Sequence, residues 1–223
     1  GAAGVTVPGG SGQLVIYEDN SRIGTNADGI FDDNERNVLS GILFNFTASG
    51  NTVAGNYVGT DATGMTILDN ALGVSIANHL NSGNLIGGPT AASRNVIANP
   101  NFYTGVSVVG SSNIVQNNYI GINAAGTASI AGPSPQAGVL IAGPDNQLLS
   151  NTIGGWSLGV YIRNPTAVSN TVAGNFIGTN AAGTSAVSNR IGVIIGGQAT
   201  QNQIGGTTAA SRNLISGNAV GVA

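Results

Sequence analysis

The sequence predicts an all-β protein that winds as a parallel β-helix of about seven coils, each roughly 30 residues long. A 15-residue block recurs, a shorter motif repeats at about half that spacing, and no stretch has the apolar periodicity of an amphipathic helix. The block begins at Asn51, Asn113 and Asn170, at offsets of 62 and 57 residues, and its first copy reads NTVAGNYVGTDATGM. Recurrence at a fixed spacing indicates a repeat array, in which each unit buries its apolar face against the next.

The shorter motif is a glycine followed by an alternating apolar run, such as GVSV at residues 105–108. Alternation and β-branched residues predict a short strand with one buried face. Gly, Asn and Thr are too frequent in the chain for a helix to propagate. The spacings between these glycines are 32, 32, 33, 21, 33 and 29 residues, and the glycines are Gly41, Gly73, Gly105, Gly138, Gly159, Gly192 and Gly221.

Two kinds of connector alternate between these strands. One is the recurring block, and the other reads NLIGGPTAASRNVI from Asn84 and NQIGGTTAASRNLI from Asn202. The short interval between Gly138 and Gly159 lacks the TAASR segment, which indicates a deleted loop in an unchanged framework of strands. Stacked at ~4.8 Å per coil, the strands predict a rod on the order of 35 Å long.

The chain is predicted to divide into an N-terminal segment, residues 1–19, and a single β-helix domain, residues 20–223. Within the segment, Val5–Val7 and Leu14–Tyr17 are candidates for an added strand or for an arm that docks on another subunit. A solenoid normally needs polar caps over its terminal coils, and residues 216–223 have no cap. We therefore expect either head-to-tail contact between copies, which builds a fibre, or attachment to the rest of a larger surface protein.

Composition excludes several classes of protein. A hydrophobic fraction of 41% with only 7% charged residues excludes a disordered chain. A net charge of −3 and the absence of Lys argue against a nucleic-acid partner. No apolar run approaches the ~18 residues of a membrane span, and no signal peptide is visible.

Asparagines recur at fixed points of the repeat. Asn tolerates left-handed backbone conformations at a bend and hydrogen-bonds to neighbouring main chain. When Asn stands at the same point in successive coils, the side-chain amides can form a ladder. One ladder is predicted from Asn51, Asn113 and Asn170, and a second from Asn56, Asn118 and Asn175.

The recurring block and the connector with IGG and TAASRN resemble the right-handed parallel β-helix repeats of large secreted and cell-surface proteins of bacteria. The fold of those proteins is similar to that of the pectate-lyase superfamily. The resemblance covers roughly residues 20–223. It implies a right-handed parallel β-helix outside the cell or on its surface. It implies no single function, since the same solenoid hosts lyases, hydrolases, adhesins and passive stalks.

The residues do not assemble into a predicted catalytic site. His79 is the sole histidine and has no acid within nine residues, which favours a surface or turn position. Asp61, Asp69 and Asp145 stand at unlike points of the repeat, so neighbouring coils supply no carboxylate pair. Arginines recur at one point of the repeat, which favours a structural role such as capping loop carbonyls, and they are Arg36, Arg94 and Arg212.

An acidic loop near the N-terminus is the one candidate metal site. Asp28, Asp32, Asp33 and Glu35 cluster around a glycine, and carboxylate oxygens are suitable calcium ligands. The spacing matches no EF-hand loop, so a solvated acidic loop without metal is the alternative. No other cofactor is expected.

Three functions remain in competition. The first is a structural one, a rod or fibre subunit that assembles end to end. The second is an adhesin shaft that grips glycan through aromatic residues, with candidates Tyr57, Tyr119, Phe176, Phe102, Tyr103, Trp156 and Tyr161. The third is a polysaccharide lyase or glycoside hydrolase, which would need acids and an arginine in one groove. We expect the first, and no enzyme activity.

Overall fold

A computed structural model describes residues 13–30, 32–68, 72–99, 104–132 and 136–223. The described residues form short strands and one 3₁₀ turn, Ala209–Ser211. The strands belong to three parallel sheets, which the chain visits in turn. The expectation of an all-β parallel β-helix is therefore confirmed.

Each sheet takes every third strand of the chain. The first sheet contains β1 (Leu14–Ile16), β4 (Ile42–Phe44), β7 (Val74–Ile76), β10 (Val106–Val108), β13 (Ala137–Ile141), β16 (Leu158–Ile162), β19 (Ile191–Ile195) and β22 (Val220–Val222). The second contains β2 (Arg22–Gly24), β5 (Thr52–Ala54), β8 (Leu85–Gly87), β11 (Ile114–Gln116), β14 (Gln147–Leu149), β17 (Thr171–Ala173) and β20 (Gln203–Ile204). The third contains β3 (Val38–Leu39), β6 (Tyr57–Val58), β9 (Val96–Ile97), β12 (Tyr119–Ile120), β15 (Thr152–Ile153), β18 (Phe176–Ile177) and β21 (Leu214–Ile215).

The described strands make seven complete coils and begin an eighth. Coil 1 runs from β1 to β3, coil 7 runs from β19 to β21, and β22 follows. Because Leu14–Ile16 pairs with β4 as a regular strand of the first sheet, coil 1 begins six residues before the predicted domain start at residue 20. The other candidate arm, Val5–Val7, lies outside the described residues.

The Gly-apolar motif sets the register of the first sheet. The residue after each motif glycine pairs with its counterpart in the next coil, in the order Ile42, Val74, Val106, Val139, Val160, Val193 and Val222. The number of residues between successive motif glycines therefore equals the length of each coil. This holds for the short coil 5 as well, between Val139 and Val160.

The motif glycines form a column because successive coils approach too closely for a side chain. A Cβ on Gly105 would lie 2.8 Å from the carbonyl oxygen of Gly138, and one on Gly138 would lie 2.8 Å from that of Gly159. The same approach repeats from Gly159 to Gly192 and from Gly192 to Gly221. Stacking, rather than a turn, accounts for glycine at this point of the repeat.

One apolar core fills the inside of the coils. Alternate residues of the strands point inward, as in β4, where Ile42 and Phe44 are buried and Leu43 is half-buried. Burial of one such side chain contributes about 1.5–3 kcal/mol. The sole tryptophan, Trp156, is 2% exposed, and its indole N–H donates to the carbonyl of Ile120 at 3.1 Å.

Connectors differ between coils as the sequence predicts. Coils 2, 4 and 6 carry a hairpin arm after the third-sheet strand, closed by the antiparallel bridges Thr60–Ile67, Ile122–Ser129 and Thr179–Ala186. The arms contact one another although a coil lies between them, since the N–H of Ala124 donates to Gly64 and that of Ala181 to Gly126, both at 2.9 Å. Coil 5 has neither an arm nor a TAASR loop, which confirms the loop deletion.

Candidate functional site

Two rows of asparagine run along the solenoid. The first row precedes the second-sheet strands and comprises Asn51, Asn84, Asn113, Asn146, Asn170 and Asn202. Each backbone N–H donates to the side-chain Oδ1 of the next member, at 2.8–3.0 Å. Asn51, Asn84 and Asn113 are fully buried. The row thus joins coils 2 to 7 from the inside.

The second row precedes the third-sheet strands and comprises Asn37, Asn56, Asn95, Asn118, Asn151, Asn175 and Asn213. The same N–H to Oδ1 bonds connect it, at 2.8–3.2 Å. The amide groups also donate to main chain, as Asn118 does to the carbonyl of Ile86 at 2.9 Å. A neutral amide both donates and accepts, so one buried side chain serves two coils without the cost of a buried charge.

The six asparagines predicted from the sequence all lie in these rows, but in each row they are only every second member. Asn84 and Asn146, which were not predicted from the repeat, lie between Asn51, Asn113 and Asn170 in the first row. These two residues stand in connectors whose sequences differ from that of the recurring block. Alignment of the copies of the block therefore matches only every second coil. The available signal was an Asn immediately before each Leu-Ile or Gln-Leu pair that opens a strand.

Two of the repeated arginines clamp the following coil. The guanidinium of Arg36 lies 4.3 Å from the ring centre of Tyr57, and that of Arg94 lies 4.3 Å from Tyr119. Arg36 Nε donates to the carbonyl of Gly55 at 3.1 Å, and Arg94 Nη2 donates to Asn117 Oδ1 at 2.9 Å. Each arginine therefore fixes the turn before an aromatic residue of the next coil, which is the structural role predicted.

The aromatic candidates divide by burial. Tyr57, Tyr119 and Phe176 are half-buried beneath the arms, and Trp156 belongs to the core. Phe102 and Tyr103 lie outside the described residues. Exposed instead are Tyr17 and Phe46, at 58% and 63%, which the sequence analysis did not single out.

The acidic loop uses its carboxylates for local hydrogen bonds. Asp32 accepts from the Thr25 hydroxyl at 2.7 Å and from the N–H of Gly29 at 3.1 Å. Asp28 accepts from the N–H of Ile30, Glu35 accepts from the N–H of Asn26, and Asp33 pairs with Arg36 at 2.6 Å.

Among the residues that the structure describes, no three acidic, His or Cys side chains come together in a group that could hold a metal ion. Asp28, Asp32, Asp33 and Glu35 are therefore not brought together as the calcium hypothesis requires. Calcium binding stays a prediction, and a melting curve with calcium and with chelator tests it.

Asp61 shapes the tip of the coil 2 arm. Burial raises the pKa of its carboxyl, but hydrogen bonds from the Thr63 hydroxyl and from the N–H groups of Thr66, Met65 and Thr63 outweigh this and lower the pKa below its ordinary value. The oxygens of Asn123 and Asn180 accept the equivalent N–H groups in coils 4 and 6. Asp61 is thus a turn residue, as predicted.

The histidine has no carboxylate neighbour in the described structure. His79 is exposed in the turn after β7, and the one ion pair found among the described residues joins Arg36 and Asp33. Asp145 stands in a different turn, in a left-handed backbone conformation. The described part of the chain therefore offers no acid–base constellation around His79.

A cleft of about 330 Å³ lies on the outer face of the first sheet. Its floor is formed by Ala137, Leu140, Leu158 and Tyr161, and its sides include Arg163 and Arg190. Tyr161, one of the aromatic residues predicted for glycan binding, lines this cleft.

No protein-family model, curated protein or solved structure matches this chain. The fold and the contacts of the described residues are therefore the basis for assigning a function. No helix in the described residues is long and apolar enough to span a membrane.

Proposed function

We propose that this chain is a structural β-solenoid, a rod or fibre subunit that works outside the cell or on its surface and carries out no catalysis. The supporting observation is continuity, because three parallel sheets and two asparagine rows run through the coils without interruption. A scaffold for a local site needs order only around that site. A rod needs it along its whole length. The cellular location follows from the resemblance of the repeats.

The connections between adjacent coils act together. To separate coils 4 and 5, the backbone bonds of three strand pairs and the bonds Asn113–Asn146 and Asn118–Asn151 must all break. One hydrogen bond contributes only about 0.5–1.5 kcal/mol net. Because every interface from coil 2 to coil 7 carries such a set, none of these interfaces is an obvious weak point.

Hydrogen exchange followed by mass spectrometry tests the rod. We expect slow exchange in the strands of coils 2 to 6 alike, because each has a paired coil on both sides. Fast exchange across two or more of these inner coils would contradict a continuous rod.

End-to-end assembly is the second part of the proposal, and a groove on coil 7 supports it. The groove holds about 470 Å³ and is lined in part by Gly205, Thr208, Arg212 and Asn213. Its counterparts inside the solenoid are occupied, since Arg36 and Arg94 in the equivalent position clamp the turn of the next coil. The same groups on coil 7 are suited to the turn of a further β-coil, which a second copy of the chain or the rest of a larger surface protein would supply.

Charge supports the same orientation. Residues 1–69 contain eight acidic residues and two arginines, whereas residues 70–223 contain one acidic residue and four arginines. The first coils are therefore negative and the later coils positive. Contact of coil 7 with coil 1 of another copy brings opposite charges together.

Sedimentation velocity over rising protein concentration, with electron microscopy, tests the assembly. We expect growing species and filaments at low salt, fewer at high salt, and fewer for Arg212→Glu. Arg163→Glu is the matched control, because it makes the same charge change away from the groove. A monomer at every concentration would remove end-to-end assembly and leave the rod untouched.

A further inference from the structure

The cleft on the first sheet lies beside the short connection of coil 5. The chain passes from β15 to β16 through residues 154–157, whereas coils 2, 4 and 6 insert a hairpin arm at the same place. The strands around the cleft, β13, β16 and β19, each have five residues, two more than the other strands of this sheet. A longer piece of sheet therefore faces outward here.

The floor of the cleft is apolar and belongs to the outer face of this sheet. Leu140 and Tyr161 pair directly across β13 and β16, and both are half-buried, whereas Val139 and Val160 beside them point into the core. Ala137 pairs with Leu158 in the next row. Such a floor offers an apolar surface with one aromatic ring.

The rim is polar and positively charged. Arg163 directly follows β16, and its guanidinium lies 5.6 Å from the ring centre of Tyr161. Arg190 directly precedes β19. Gln136 and Ser157 add hydrogen-bonding groups at the start of β13 and β16. The sole acidic residue after residue 69 is Asp145, which does not line the cleft, so the two arginines meet no negative partner within it.

We propose that this cleft binds a short segment of acidic saccharide, with carboxylate or sulfate groups on its sugar rings. The C–H face of a sugar packs on the ring of Tyr161 and the neighbouring leucine side chains. The guanidinium groups of Arg163 and Arg190 bind the acid groups through charge-assisted, bidentate hydrogen bonds. The proposal does not depend on end-to-end assembly of the rod.

The position of the two arginines sets the length of the ligand. They lie at opposite ends of adjacent parallel strands of five residues, and the register places their backbone positions about 20 Å apart along the strand direction. Acid groups on different sugar units match that separation better than one isolated anion. A volume of about 330 Å³ is near the lower end of the ~300–1,000 Å³ of small-ligand sites, which favours a few sugar units.

Calorimetric titration with four probes tests the site. The probes are a uronate oligosaccharide, a sulfated oligosaccharide, a neutral oligosaccharide of the same length, and inorganic sulfate. We expect binding of at least one acidic oligomer, weakened by salt because the arginines are exposed, and no comparable binding of the neutral oligomer or of sulfate alone. The stronger of the two acidic oligomers identifies the acid group.

Variants locate the binding. Arg163→Gln and Arg190→Gln are each expected to weaken it by about tenfold, and Tyr161→Ala is expected to weaken it as well. Arg212→Gln is the matched control, since it removes an exposed arginine outside the cleft. Circular dichroism melting checks that each variant is folded.

Three results would each overturn the proposal: no binding of either acidic oligomer, equal binding of the neutral oligomer, or equal weakening by Arg212→Gln. Binding that survives both cleft arginine substitutions unchanged would overturn it too.

Discussion

The backbone N–H and the side-chain amide of Asn118 both donate to Oδ1 of Asn151, at 2.9 and 3.0 Å. Asn118 Oδ1 in turn accepts the amide of Asn95 at 2.9 Å. One oxygen and one amide thus connect three successive coils inside the protein. Disruption at a single coil should therefore affect its neighbours on both sides.

Asn118→Leu is expected to lower the free energy of unfolding by about 2–4 kcal/mol, because it leaves the buried N–H of Asn95 without a partner and removes the amide donor to the carbonyl of Ile86. Urea unfolding followed by circular dichroism measures the loss. Asn34→Leu is the control, since Asn34 is exposed in the coil 1 loop. Equal stability of the two variants would contradict a structural role for the row.

Gly138→Ala is expected to destabilise the protein by more than about 2 kcal/mol. The new methyl group would lie 2.6 Å from a methyl carbon of Ile153 and 2.8 Å from the carbonyl oxygen of Gly159. Gly221→Ala is the matched control, because it meets no atom within 4 Å in the described structure. Thermal unfolding of both variants tests the glycine column, which would be refuted if both melt like wild type.

Trp156→Phe is expected to cost about 2–4 kcal/mol, because it leaves a cavity and removes the donor to the carbonyl of Ile120. Wild-type fluorescence should be that of a buried indole, blue-shifted and poorly quenched by iodide, since Trp156 is the sole tryptophan and is 2% exposed. Emission typical of a water-exposed indole would contradict this position in the core.

Asp61→Asn is expected to change the pH dependence of stability more than the stability at pH 7. Hydrogen bonds to the carboxylate lower the pKa of Asp61 in the folded state, so its contribution is present above the unfolded pKa of about 3.9 and is lost as pH falls through the lower folded pKa. The amide should accept the same N–H groups, as Asn123 and Asn180 do.

Urea midpoints between pH 2 and 7 should therefore fall less steeply on acidification for Asp61→Asn than for wild type. The effect should be small, because the carboxylate lies at the surface. Parallel curves for the two proteins would contradict the proposed role of the carboxylate in the arm.

The coils could be predicted from sequence because each glycine of the Gly-apolar motif lies one residue before a paired position of the first sheet. The asparagine rows could be predicted only in part. Asn51 and Asn113 both begin a copy of the recurring block, so they could be recognised as equivalent. Asn84 lies between them in space but has different neighbours in the chain. Periodicity identifies equivalent residues, but it does not show which of them touch.

The clefts and clamps could not be predicted. Arg36 and Arg94 were assigned a structural role, yet their contact with Tyr57 and Tyr119 joins residues more than 20 positions apart, which local pattern does not encode. Arg163 and Arg190 showed no relationship at all in the sequence. They come to line one cleft only after β16 and β19 stack.

The coil, its period and its core could be derived from the order of the residues, because stacking repeats the same requirement every turn: an apolar residue inside, a glycine at the close approach and an amide at the bend. Which side chains touch across coils follows only from the folded chain. Contacts such as Asn118–Asn151 and the grouping of Tyr161 with Arg190 depend on the summed lengths of the loops between them, which local sequence pattern does not encode.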